Sequence, residues 1–175
     1  MWYTVELQRI ITREKKDMFR EMRRENQKIS EEECRKLLTE ETRGVISVIG
    51  DDGYPYGTPI NHYYNPEDNR LYFHGATFGH RIDAIKENPK VSYCVFNEGK
   101  KDEGDWAYRV KSVVIFGKAR IIEDRALAMD MCLQLCRKFP CTEEYIKGEF
   151  KADADKTLVY CIDIEHMTGK LVHEA

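Results

Sequence analysis

Six apolar runs, separated by turns and by only a few helical stretches, constrain this chain more than any other feature. They read "GVISVIG", "YPYGTPINHYY", "LYFHGA", "KVSYCVF", "RVKSVVIFGKARII" and "TLVYCIDIEHMTGKLV". The first two are joined by "DDG", a strong tight-turn signal, and so form a hairpin. "NPEDN" marks the next turn. Pro55 and Pro59 in the second run cannot donate to a strand ladder, so that strand sits at an edge or is locally bulged. Gly117 predicts a bulge or bend in the long fifth run.

One helix precedes these strands and two fall between them. Ser30 followed by Glu33 is a capping-box signature, so one helix starts at Glu31 and runs to about Arg43-Gly44, with Cys34, Leu37 and Leu38 on one face. A second covers Gly79 to Glu87 and stops before Asn88-Pro89. A third spans "EDRALAMDMCLQLCRKF", with a possible short helix at "EEYIKG" after it. This is not the regular alternation of a doubly wound sheet. The expected fold is mainly β: a six-stranded antiparallel barrel with peripheral helices. It forms one domain over residues 1–175, with residues 1–29 as an N-terminal arm.

The chemistry concentrates in "LYFHGATFGHRIDAIKENPKV". Backbone N–H groups at a helix start have no partner inside the helix, and the helix dipole places positive charge there. A glycine-bearing loop that leads into such a helix suits an anion. Arg81 adds a permanent charge and a planar fork of donors matched to phosphate. His80 adds another donor, and His74 at the strand end can face the same place. The plainer alternative is a strand–turn–helix in which Gly75 and Gly79 only relieve backbone strain. In "GYPYGTPIN", Gly57 and Pro59 free a strand from a regular ladder, so its backbone can face a flat ligand. There the plainer alternative is an ordinary edge strand.

Other classes find little support. The net charge of -3 argues against nucleic acid as the main partner. The mixed charges of "TREKKDMFREMRRENQKIS" fit a solvated or subunit-contacting arm. No apolar run is long enough to cross a bilayer, and "MWYTVELQRI" lacks a secretory pattern, so a cytoplasmic location is expected. In that compartment Cys34, Cys94, Cys132, Cys136, Cys141 and Cys161 read as small hydrophobes rather than a disulfide framework. There is no C-x-x-C pair, so no metal site is expected. His62, His166 and His173 read as surface or satisfied histidines. No hydrolase elbow, P-loop or Rossmann glycine fingerprint is present.

Taken in order, "MFREMRRENQKIS", "GVISVIGDDGYPYGTPIN", "YFHGATFGHRIDAIKENPKVSYCV", "KSVVIFGKARIIED" and "IDIEHMTGK" closely resemble the pyridoxamine 5′-phosphate oxidase-like, FMN-binding split-barrel superfamily. The nearest branch is the flavin-nucleotide-binding one that includes the nitroimidazole-resistance nitroreductases. The likeness runs from about Met18 to Lys170. It implies a split-barrel homodimer with FMN in each subunit interface. Thr58, Pro59, Ile60 and Asn61 would run along the flavin. Phe73, His74 and Gly75 would contact it, His80 and Arg81 would grip its phosphate, and Ser112 would add a polar contact. His74 would also be the residue that meets substrate. The implied activity is FMN-dependent electron transfer to a small acceptor, including a nitroimidazole-type compound. The alternative is a flavin-binding store, sensor or partner without turnover. A deazaflavin or haem is the rival ligand for the same fold.

Two departures from the superfamily pattern stand out. Relatives usually carry lysine where this chain has Arg81, which keeps the charge. Many also carry a tyrosine nearer the serine, whereas Tyr108 lies further back and Val110 intervenes. The loop with Trp106 would then shape a different substrate pocket. The residues that hold a substrate phosphate in pyridoxamine-phosphate oxidase itself are not identifiable near the C-terminus.

Overall fold

A computed structural model describes residues 19–140, 142–146, 148 and 156–173. Residues 1–18 of the expected arm, and Cys141, lie outside them. Eight strands form one antiparallel sheet: β1 (Arg43–Ile49), β2 (Pro55–Asn61), β3 (Tyr63–Asn65), β4 (Arg70–Ala76), β5 (Lys90–Phe96), β6 (Lys100–Lys101), β7 (Tyr108–Ile121) and β8 (Thr157–His173). The six long ones are the six runs read from the sequence. Their spatial order is β2-β1-β5-β7-β8-β4-β3, with β6 attached to β7. The helices are α1 (Glu31–Glu40), α2 (His80–Glu87) and α3 (Arg125–Arg137).

Local chemistry accounts for most boundaries. The Ser30 side chain accepts from the Glu33 N–H at 3.2 Å, and Glu33 Oε2 accepts from the Ser30 N–H at 3.2 Å, a complete capping box. α1 ends at Glu40, a few residues earlier than its sequence suggests, because Glu41 is already extended. Asp124 caps α3 through the N–H groups of Ala126 and Leu127. The register shifts between Phe116 and Gly117, where a bulge was expected.

One boundary differs in an instructive way. "YPYGTPINHYY" is two strands, not one, and His62 alone separates them. β2 pairs only with β1, whereas β3 pairs only with β4. The chain therefore passes from one end of the sheet order to the other through a single residue. That is possible only if the sheet curls until its two ends meet. Phe73 on β4 packs edge-on against Tyr93 on β5, with centroids 5.2 Å apart, although three strand steps separate those strands. Phe73 also stacks on Tyr160 of β8 at 5.1 Å. These three rings are fully buried and, with Ile46, Val48, Val95 and Ile115, fill the barrel. α1 closes it with Cys34, Leu37 and Leu38. A second apolar cluster lies on the outer face of β4 and β8, where α3 packs on Tyr72, Val159 and Cys161.

The result is a barrel closed by the chain at His62 and split beyond it. β3 pairs with β4 only through Tyr72, so Phe73–Ala76 lack a strand partner on that side. The outer edge of β2 lacks one as well. No helix among the described residues is long and apolar enough to cross a membrane.

Candidate functional site at the open seam

The two unpartnered edges face each other across the split, and they are the two segments the sequence singled out: Thr58–Asn61 on β2 and Phe73–Gly75 on β4. Strand alternation divides their side chains between two faces. Thr58, Ile60, Phe73 and Gly75 point into the barrel. Pro59, Asn61 and His74 point outward. Phe73 is wholly within the core, so only its backbone is open to the seam.

Arg81 spans the gap. α2 follows β4 after the loop through Phe78, and Gly79 caps it at φ 121° and ψ 165°, a region open essentially to glycine. This turn sends the Arg81 side chain back over the seam. Nη1 donates to Thr58 Oγ1 on β2 at 3.2 Å. On the other side Nη2 lies over Gly75, where an added Cβ would stand 3.2 Å away. The guanidinium carbon sits over the Tyr160 ring, 5.9 Å from its centroid. No carboxylate pairs with Arg81 among the described residues.

Two polar atoms here are buried without a partner: Arg81 Nε and Tyr160 Oη. Buried polar groups are nearly always hydrogen-bonded, so each exception needs an explanation. No side chain caps α2, and its first N–H groups are unpaired within the helix. A fixed positive charge, two unpaired buried donors and an uncapped helix start make this end of the seam suited to an anionic oxygen cluster.

The remaining residues separate. His80 turns away from Arg81, stacks on Tyr56 at 4.3 Å and lies 3.4 Å from Asp51. It borders a cavity of about 810 Å³ whose wall includes Asp51, Asp83 and Glu87. Those carboxylates disfavour a phosphate in that cavity, and the two basic side chains point to different places. Asn61 accepts from Arg43 Nε at 2.9 Å. His74 is half-buried, and desolvation lowers its pKa, so it is a neutral imidazole at pH 7. Ser112 lies on the outer face of β7, opposite Phe96 and Lys170. It stands nine positions from Ile121, the residue facing Tyr160, which is roughly 30 Å along a strand. It does not reach the seam of its own chain.

Tyr160 was missed in the sequence. Its run, "TLVYCIDIEH", reads as core strand, and nothing local marks one tyrosine as lying beneath an arginine. Among the described residues, no three His, Cys, Asp or Glu side chains come together in a group that could hold a metal ion.

Residues 30–171 match the family described as pyridoxamine 5′-phosphate oxidase. The chain belongs to this family. No curated protein matches it. Among solved structures, a candidate 5-nitroimidazole antibiotic resistance protein from Bacteroides thetaiotaomicron superposes with a TM-score of 0.70 at 20% identity, covering 83% of this chain and 87% of that one. An FAD-binding protein from Mesorhizobium loti gives 0.60 at 24% identity, covering 83% and 96%. A flavocytochrome from Azotobacter vinelandii gives 0.65 at 17% identity, covering 87% and 72%. At these identities the likeness establishes the fold, and the split barrel of the pyridoxamine 5′-phosphate oxidase family is that fold.

Proposed function

We propose that this member of the pyridoxamine 5′-phosphate oxidase family is a flavin-dependent oxidoreductase that uses FMN. The observation that carries the reading is Arg81: a permanent cation across the open seam with a buried, unpaired Nε. An FMN phosphate would complete that group and meet the free N–H groups at the start of α2. The unpartnered backbone edges of Thr58–Asn61 and Phe73–Gly75 would then flank the flavin. Bound flavin supplies the electron transfer. The protein binds and orients it, and shields one side.

His74 is the proposed residue between cofactor and substrate. It faces the outer mouth of the seam, and as a neutral imidazole it can donate or accept a hydrogen bond. The acceptor is proposed to be a small oxidised molecule, such as a nitroimidazole. The description of the Bacteroides neighbour as a candidate 5-nitroimidazole antibiotic resistance protein supports that choice, and the FAD-binding and flavocytochrome neighbours support a flavin. The active form is proposed to be a homodimer. Phe96 and Phe116 expose 58% and 41% of their surface on the outer sheet face, where a second copy would cover them. Only a second copy could bring Ser112 to the seam, as Ser112 of the partner subunit.

The test is an absorbance spectrum of purified protein incubated with FMN, then denaturation and identification of what is released. FMN at about one per chain is the expected result. No flavin bound even when supplied would sink the proposal. If FMN binds, reduction by a nicotinamide donor and reoxidation by a nitro compound separate an oxidoreductase from a flavin store.

A further inference from the structure

Tyr160 has no role in the reading above, and its chemistry is out of place for a core residue. It is fully buried, and its ring is held flat against Phe73. A phenylalanine would fill that position equally well without burying a hydroxyl. Yet Oη is there, desolvated and without a hydrogen-bond partner. Burial pushes its pKa up to about 12, and the Arg81 charge opposes that rise. The phenol is thus a neutral donor, close enough to the guanidinium to feel its field. Arg81 Nε, the other orphan, belongs to the group lying over this ring.

Two unpaired buried donors, one belonging to a group that lies over the ring carrying the other, and drawn from elements far apart in sequence, have one economical explanation. We infer that Tyr160 is a further anion-binding residue of the seam, its hydroxyl donating with Arg81 Nε to the oxygens of a phosphomonoester. The ring has a second effect. Its face holds the guanidinium over Gly75, so that Nη1 reaches Thr58 and Nε stays free. This inference rests on the proposed FMN reading for the identity of the phosphate, but not for its chemistry.

The experiment compares wild type with Tyr160→Phe, which keeps the ring and removes only Oη. FMN and riboflavin are titrated against both, and melting is followed with and without ligand. Tyr160→Phe should weaken FMN at least about tenfold, the size of one hydrogen bond to a charged group, and leave riboflavin unchanged. Without ligand the variant should melt no lower than wild type, because an unsatisfied buried hydroxyl has gone. The shift in melting temperature that FMN produces should shrink. Unchanged FMN affinity overturns the inference, as does an equal loss for FMN and riboflavin, which would mark a packing role. If wild type binds no flavin, the functional reading fails separately. Inorganic pyrophosphate then decides: weaker binding to Tyr160→Phe than to wild type supports the anion site, and equal binding or none overturns it.

Discussion

The seam has two ends, and they treat buried polar groups in opposite ways. At the closed end, His62 is fully buried and every polar atom of its ring is used. Its Nε2–H donates to Leu38 O at 2.8 Å, and its Nδ1 accepts from Tyr93 Oη at 2.7 Å. A carbonyl can only accept, which fixes this tautomer. Lys138 Nζ donates to the same Leu38 carbonyl at 3.3 Å and to Glu41 O at 2.5 Å, where α1 ends. The network joins α1, the β2–β3 crossing, β5 and the end of α3. At the open end, Tyr160 is as deeply placed and Arg81 is half-buried, but each keeps a buried, unpaired atom. A satisfied network rigidifies a fold, and an unsatisfied one is incomplete until something else arrives. The closed end is structure; the open end is where the proposed ligand would bind.

Perturbing each end should therefore give a different signature. The largest effect is expected at Tyr93, which fills the barrel and closes the His62 network. Tyr93→Ala should lower folding stability by about 3–5 kcal/mol in chemical denaturation. A loss below about 1 kcal/mol would remove the closed end from any structural role. Arg81→Ala should do the reverse. FMN affinity should fall by about 1.5–3 kcal/mol, the worth of hydrogen bonds to a charged group, while ligand-free stability changes by less than about 1 kcal/mol, as for a residue outside the packed core. Equal losses in both measurements would erase the contrast. Gly79→Ala tests the turn that aims Arg81. With φ at 121°, alanine is strained by about 1–3 kcal/mol, and relaxation of that strain would misplace the guanidinium. Thermal melting with and without FMN reads both consequences.

A smaller effect, per unit of pH, tests the closed end alone. Burial and the Lys138 charge press the His62 pKa down to about 3, well below the ordinary imidazole value of about 6.5. Between those values the unfolded chain holds the extra proton and the folded chain does not. Stability contributed by neutral His62 is then complete above pH 6.5 and falls as pH drops toward 3, by at most about 1.4 kcal/mol per unit. His62→Phe should flatten that slope in urea titrations from pH 7 to pH 4. An unchanged slope would move the acid sensitivity to other groups.

How much of this was readable beforehand depended on whether the signal was local. The six long strands, the capping box at Ser30, the Gly117 bulge and the prolines on an edge all followed from residues close in sequence. The segments Thr58–Asn61 and Phe73–Gly75 came instead from the resemblance to the family, because their local signals fit an ordinary edge strand and turn equally well. The break at His62 was not readable, because a single polar residue between two β-rich runs carries no turn signature; only the curl of the whole sheet forces it. His80 and Arg81 looked like one basic pair. Adjacent helical residues point about 100° apart, and the Asp51 carboxylate and the Tyr56 ring draw His80 to the far side. Tyr160 and Arg81 meet only through three strands and a helix.

The edge of β2 carries one more consequence. An edge kept open for a flat ligand is equally open to a foreign strand, and pairing of that kind is a common start of aggregation. Here the edge is seven residues long and includes Pro55 and Pro59, neither of which has an N–H to offer. A small molecule can lie along such an edge, but a second chain would find its ladder interrupted twice. Residues that at first sight only weaken the strand also guard the groove against its least wanted occupant.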